Sequence, residues 1–173
     1  MTLPTGDPAS VSALGGALLT QSARLADLVT ELGGSAARAA RASQARRRPV
    51  DDVSSHERLL LERAATELDR VGALLQAWTT TSVETAARAR QLAPDLARAD
   101  LVIDGQVVVE SSGPSRVDPQ TRARERQRLQ ELLNRVTMVR ARELARLGRE
   151  LQHSHDALAA VALDARAGRS ATS

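Results

Sequence analysis

Apolar residues recur three and four positions apart along the first third of the chain. The row consists of Val11, Leu14, Leu18, Leu25, Leu28 and Leu32, and Gln21 is the polar residue that interrupts it. This spacing is typical of a helix with one buried face. Asp7-Pro8 precedes the row, and it combines a capping carboxylate with a proline suited to the first helical position. We predict a helix over about 8–46, with a kink or break at Gly33-Gly34 and an end before Pro49.

A second helix is predicted over about 55–97. Ser54 and Glu57 have the spacing of a capping box. Two heptad columns follow, formed by Leu61, Leu68 and Leu75 and by Ala64, Val71 and Trp78. Columns of this kind pack against a neighbouring helix, so this segment predicts a packing seam. Pro94 indicates a helix end or a kink.

A third helix is predicted over about 119–166, because Asp118-Pro119 repeats the entry signal of the first helix. Its apolar residues follow helical spacing, and Arg140 and Ser154 occupy two positions of the same seam. The apolar members are Leu129, Leu133, Val136, Leu144, Leu147, Leu151, Leu158 and Val161. Helices of this length predict an elongated molecule.

A short β-hairpin is predicted over 101–109, between the second and third helices. Two β-branched runs flank Asp104-Gly105, a pair that favours a two-residue type I′ turn. Neither run alternates with polar residues, so both faces need cover, and one of them would be left for a partner. The candidate interface residues are Trp78, Val102, Ile103, Val107, Val108 and Val109. For Trp78 a place in the core is the alternative, because it is in register with Val71 and Leu75.

These elements predict an all-α fold, an elongated antiparallel three-helix bundle or coiled coil with one short β-hairpin. We expect residues 1–173 to form a single helical domain with flexible ends at 1–6 and 168–173.

Trp78 is the one aromatic residue, and there is no cysteine. Aromatic side chains dominate many ligand pockets, so their scarcity argues against an enzyme. His153 and His155 lie two apart on a helix and therefore face different directions, so we expect no metal or cofactor.

All 24 basic residues are arginines, and the formal net charge is +3. No acidic residue lies between Glu31 and Asp51, whereas this interval contains Arg38, Arg41, Arg46, Arg47 and Arg48. The cluster predicts either a solvated helix end or a basic patch that binds phosphate groups of nucleic acid. A second group, formed by Arg122, Arg124, Arg126 and Arg128, is spread around its helix, which weakens the patch interpretation.

The amino terminus has no basic segment followed by an apolar one, and no stretch approaches the ~18 apolar residues of a membrane span. We therefore expect no membrane span and no Sec-type signal. The chain is expected to be cytoplasmic or exported by a non-Sec route.

The segment from Gly6-Asp7-Pro8-Ala9 through Leu18 and Ala23-Arg24-Leu25 to Leu32 resembles the opening of actinobacterial WXG-type helical-hairpin proteins, which are associated with type VII (ESX) secretion. The resemblance covers roughly residues 6–40. It implies a short alanine-rich helical protein that dimerises, often with a related partner, and is exported without a Sec signal. Trp78 is followed by Thr79-Thr80, so the Trp-x-Gly turn is missing, and a chain without tyrosine lacks the family's tyrosine-containing export signal.

The plan of a long helix, a hairpin rich in valine and a returning helix over residues 55–165 is also similar to a prefoldin-like chaperone subunit. The leading expectation is a non-enzymatic helical protein that binds a protein partner or itself, associated with type VII secretion as a partner or substrate. The alternatives are an arginine-rich nucleic-acid-binding helical module and a prefoldin-like chaperone or scaffold subunit.

Overall fold

The computed structural model describes the backbone of residues 7–42 and 50–171 and the side chains of residues 7–39 and 55–167. The elements are α1 (Pro8–Ala42), α2 (Val50–Gln91), α3 (Ala93–Arg98), β1 (Leu101–Asp104), β2 (Val107–Glu110) and α4 (Pro119–Ala171). A mostly helical chain with a two-stranded antiparallel hairpin before the last long helix is therefore confirmed. The chain divides into two compact units, Ser12–Gln76 with Gly148–Ser173 and Met1–Val11 with Ala77–Leu147.

The helix boundaries differ from those predicted at several points. α1 continues without a break through Gly33-Gly34, since the alanine-rich residues that follow favour helix. α2 begins at Val50, five residues earlier than expected, and the Ser54 side chain of the predicted capping box lies outside the described residues. The helix ends at Gln91 and α3 begins at Ala93, next to Pro94, as the proline predicted.

The last helix is longer than expected, and the residues of its predicted apolar seam are buried to different degrees. α4 continues to Ala171, five residues past the predicted end. Leu129 and Leu133 are fully buried, and Ser154 is buried at its predicted seam position. Leu144 was placed in the seam wrongly, because its side chain is 53% exposed.

In the unit formed by Ser12–Gln76 and Gly148–Ser173, α1 approaches α2 closely through small residues. The Ser22 hydroxyl donates to the Ala65 carbonyl at 2.9 Å, and the Gln76 amide donates to the Ser12 carbonyl at 2.8 Å. A methyl group added at Gly72 would lie 2.7 Å from Leu19 Cγ. Residues 12 and 22 thus contact residues 76 and 65, so the contacts run in opposite order along the two helices.

The same unit joins α2 to α4 through ion pairs. Arg70 lies between Glu67 of its own helix and Glu150 of α4. Arg63 Nη1 lies 3.2 Å from Asp164 Oδ2. The order of these contacts is also reversed along the two helices. Both are partly exposed pairs, so they orient the helices more than they stabilise them.

The contact face of α1 is not the predicted row of large apolar residues. Gly15 and Ser22 are buried against α2, whereas Leu14, Leu28 and Leu32 are 54%, 47% and 38% exposed. The prediction that these three leucines form the buried seam is wrong. Small side chains let the backbones of α1 and α2 approach each other. The face of α1 that contacts α2 is therefore rotated around the helix axis by about one residue, or roughly 100°, from the predicted face.

In the unit that contains Ala77–Leu147, the hairpin packs on α3 and α4. Its core cluster consists of Leu96, Ala99, Leu101, Val108, Leu129 and Leu133. Ile103 pairs with Val108 across the strands, and Leu101 pairs with Glu110. Residues two apart on a strand share a face, so Leu101, Ile103 and Val108 line the buried face of the hairpin.

The turn of the hairpin is shifted by one residue from its predicted position. Asp104 pairs with Val107, so the two turn residues are Gly105 and Gln106. Gly105 has φ 61°, and Asp100 is the one non-glycine residue with positive φ among the described residues. Positive φ at only the first turn position is the pattern of a type II′ turn, not of the expected type I′ turn.

Both predicted Asp-Pro entries cap their helices. The Asp7 carboxylate accepts hydrogen bonds from the backbone N–H groups of Ala9 and Ser10. Asp118 accepts from the Thr121 N–H at 2.9 Å and from the Thr121 hydroxyl at 3.1 Å. These bonds satisfy N–H groups that have no partner inside the helix.

Candidate interaction surfaces

The leucine row of α1 is an apolar surface that α2 leaves uncovered. We use this name for Leu14, Leu18, Gln21, Leu25, Leu28 and Leu32. With 3.6 residues per turn these residues fall within one arc of about 80°, next to the face that contacts α2. Leu18 and Leu25 are half-buried, and the other four side chains are exposed. The row has the four-and-three spacing of a coiled-coil seam.

The outer face of the hairpin is a second exposed apolar surface. Val102 and Val107 are 44% and 55% exposed, and Val109 is half-buried. Two residues of the predicted interface do not belong to it. Val108 is 3% exposed inside the core cluster, and Ile103 packs against that cluster. One face of the hairpin is therefore covered by the core cluster, and the other face is exposed.

One edge of the hairpin is closed by a side chain of α4. The Val108 N–H donates to Gln130 Oε1 at 2.7 Å, and Gln130 Nε2 donates to the Gln106 carbonyl at 3.0 Å. A single amide thus binds one backbone group of β2 and one of the adjoining turn, on the edge where a further strand would pair. This side chain shields the β2 edge from strand addition.

Trp78 is half-buried on α2, in the seam column predicted for it. Leu75 of the neighbouring column is buried. A half-buried indole fits the predicted core position and leaves only part of the ring for a partner. Trp78 is therefore a weaker candidate than the exposed valines of the hairpin.

The arginines at the start of α4 are largely engaged in ion pairs. Arg122 Nη2 lies 3.1 Å from Glu110 Oε2, and Arg128 Nη2 lies 2.9 Å from Asp95 Oδ2. Hydrogen bonds to Glu125 and then Asp95 raise the pKa of Arg128 above its ordinary value. Carboxylates that pair with these guanidinium groups offset the positive charge that phosphate binding requires.

The predicted basic patch lies mostly outside the described residues. The side chains of Arg41, Arg46, Arg47 and Arg48 are not described. Arg38 is exposed, and its guanidinium donates to the Ser35 hydroxyl at 3.5 Å. The described part of this patch is therefore one arginine with a neutral hydrogen-bond partner.

The two histidines that were considered as metal ligands lie on α4. His153 and His155 are exposed on either side of the buried Ser154. The described residues contain no group of three or more histidines and carboxylates placed to hold a metal ion. Within the same ranges, no helix has a stretch long and apolar enough to span a bilayer.

The size and hydrophobicity of the leucines predicted that the leucine row lies in the core. A different signal was present, since Gly15 and Ser22 are seven residues apart, as are Ala65 and Gly72. Small residues at heptad spacing on two segments indicate a close helix contact.

No protein-family model, curated protein or solved structure matches the chain.

Proposed function

We propose that this chain is a non-enzymatic helical interaction protein whose binding surface is the leucine row of α1. The single observation that carries the proposal is the exposure of Leu14, Leu28 and Leu32 at coiled-coil spacing. Exposed apolar rows with this period are covered when an amphipathic helix packs along them. The contacts of α1 and α4 with α2 also support an antiparallel three-helix arrangement as the scaffold of the row.

The occupant that best fits the row is α1 of a second copy of this chain. Gln21 lies at the centre of the row, between Leu18 and Leu25. A two-fold pairing of identical helices brings Gln21 near its own counterpart, where each carboxamide both donates and accepts a hydrogen bond. A single polar residue in such a seam also fixes the register of the two helices.

Sedimentation of the purified protein over a micromolar to millimolar range tests this proposal. The wild type should gain mass with concentration, because the row buries apolar area only when it is paired. Leu14→Glu/Leu28→Glu should stay monomeric, because it places carboxylates in the paired seam. Helicity by circular dichroism should be unchanged in this variant, since both positions are exposed.

Leu59→Glu/Leu163→Glu is the matched control. These leucines are 52% and 62% exposed and lie outside the row, so this variant should associate like the wild type. A wild type that is monomeric throughout the range contradicts self-association. A row variant that associates as strongly as the wild type contradicts the assignment of the surface.

We further propose that this chain is associated with type VII secretion, as a partner or a substrate of the secretion system. The support is the resemblance of residues 6–40 to WXG-type proteins, and these residues fall mainly on α1, which carries the leucine row. An actinobacterial host with and without a working type VII ATPase provides the test. A tagged chain should reach the medium, or bind a secreted WXG-type protein, only in the competent host. Equal behaviour in both hosts contradicts this role.

A further inference from the structure

A second surface of different chemistry lies on α4, within the unit that contains Ala77–Leu147. We call it the arginine row, and it consists of Arg135, Met138, Val139, Arg142 and Arg146. At 3.6 residues per turn these positions fall within one arc of about 100°. All five side chains are exposed. The row is centred about 150° from the face on which Leu129 and Leu133 are buried.

The arginines of this row differ from those at the start of α4. Arg142 and Arg146 form no ion pair with a described residue, and the Arg135 Nε donates to a backbone carbonyl, that of Glu131, at 3.4 Å. The one carboxylate between residues 132 and 146 is Glu143, which is half-buried and lies on a neighbouring part of the helix surface. Within the described structure, therefore, no carboxylate forms an ion pair with the three arginines of the row.

Two exposed apolar side chains lie in the middle of these charges. Met138 and Val139 are 53% and 42% exposed. A phosphate backbone would pair with the arginines and leave both of these side chains in water. A helix that carries acidic and apolar residues at matching positions would satisfy both parts of the row. The three-and-four spacing of the row is also the spacing at which two helices meet.

From this charge complementarity we infer that the arginine row binds an acidic amphipathic helix of a different protein. A second copy of this chain fits poorly, because two-fold pairing of the row would oppose arginine to arginine. Carboxylates on the partner would pair with Arg142 and Arg146, while its apolar residues cover Met138 and Val139. The row lies in a different unit from the leucine row and needs no self-association.

The inference can be tested with a fluorescent helical peptide of four heptads, in which leucine and glutamate alternate at the seam positions. The full-length protein should bind it, and a peptide with glutamine in place of glutamate should bind at least about tenfold more weakly. Arg142→Glu/Arg146→Glu should weaken binding of the acidic peptide by a similar factor. Arg88→Glu/Arg90→Glu makes the same charge change at exposed positions of α2 and should bind like the wild type.

The outcomes separate the alternatives. Failure to bind the acidic peptide, equal binding of the glutamine peptide, or no effect of Arg142→Glu/Arg146→Glu overturns the inference. A DNA duplex that binds more tightly than the peptide at physiological salt, and loses affinity in the same variant, would make the row a nucleic-acid surface and also overturn it. Leu14→Glu/Leu28→Glu should bind the peptide normally, so this test is independent of the leucine row.

Discussion

Gly72 and Gly15 decide how closely α1 and α2 approach. An added methyl group at Gly72 would lie 2.7 Å from Leu19 Cγ and 3.0 Å from the Gly15 carbonyl oxygen. At Gly15 it would lie 3.2 Å from the Gly72 carbonyl oxygen. Because it has no side chain, each glycine therefore leaves free the space that the backbone of the other helix occupies. This close contact favours the small residues of α1 over its leucines as the face turned towards α2.

Gly72→Ala should lower the free energy of unfolding by about 1–3 kcal/mol, because overpacking exceeds the gain in helix propensity. Gly16→Ala is the control, since its methyl group would lie 3.9 Å from Gln76 Nε2, an ordinary contact. It should raise the free energy of unfolding by up to about 1 kcal/mol. Urea denaturation measures both values. A Gly72→Ala variant as stable as Gly16→Ala would refute the close approach.

The caps give the stability a defined pH dependence. Hydrogen bonds from the Thr121 N–H and hydroxyl lower the pKa of Asp118 below its ordinary value of 3.8. A lowered carboxyl pKa contributes stability that is present above the ordinary value and is lost as pH falls through the lowered value. The stability difference between wild type and Asp118→Ala should therefore shrink from about pH 5 to about pH 2. Thermal unfolding across this range measures the difference.

Asp118→Asn provides the control for this effect, since asparagine caps a helix without titrating. The wild type should lose stability relative to Asp118→Asn as the pH falls. A constant difference between these two proteins across the range would show that the carboxylate charge makes no contribution at this cap.

Single residues were predictable wherever their chemistry is local. The capping carboxylates Asp7 and Asp118 and the helix-interrupting Pro94 act on neighbouring backbone, so their roles follow from the sequence around them. The exposure of Leu14 was not predictable from its own spacing, because it depends on where Gly72 lies on another helix.

At the scale of elements, the hairpin shows how burial fixes strand register. Its sequence predicted two strands and a tight turn, but apolar residues on both faces left the buried face open. Packing on Leu129 and Leu133 selects the face with Leu101 and Val108, and the turn then falls on Gly105 and Gln106. If the pairing of a strand were shifted by one residue, its buried and exposed faces would be exchanged.

Val108→Asp should therefore damage the fold of the hairpin, whereas Val107→Asp should not. Val108 is 3% exposed, and an unpaired carboxylate there should lower the free energy of unfolding by at least about 2 kcal/mol. Val107 is 55% exposed, so the same change should alter stability by less than about 0.5 kcal/mol. Chemical denaturation separates the two variants. Equal effects would contradict the register of the strands.

At the scale of the whole molecule, the helices and the hairpin followed from periodicity, whereas the two surfaces that we propose for binding did not. Periodic leucines predict that a helix face is covered, but they do not distinguish a neighbour in the same chain from a separate molecule. The leucine row of α1 is such a face, and α2 contacts the residues beside it. The arginine row was missed because its charges are separated in sequence and meet only on the helix surface.

The absence of cysteine makes a direct test of the pairing of α1 possible, since one introduced thiol is then the only one in the chain. Gln21→Cys places it in the leucine row, and Asp27→Cys places it on an exposed part of α1 away from the row. Under mild oxidation, Gln21→Cys should form a disulfide-linked dimer at concentrations where Asp27→Cys stays monomeric, because paired rows hold the two thiols within bonding distance. Equal rates for the two variants, or no dimer from Gln21→Cys, would contradict the leucine row as the surface of association.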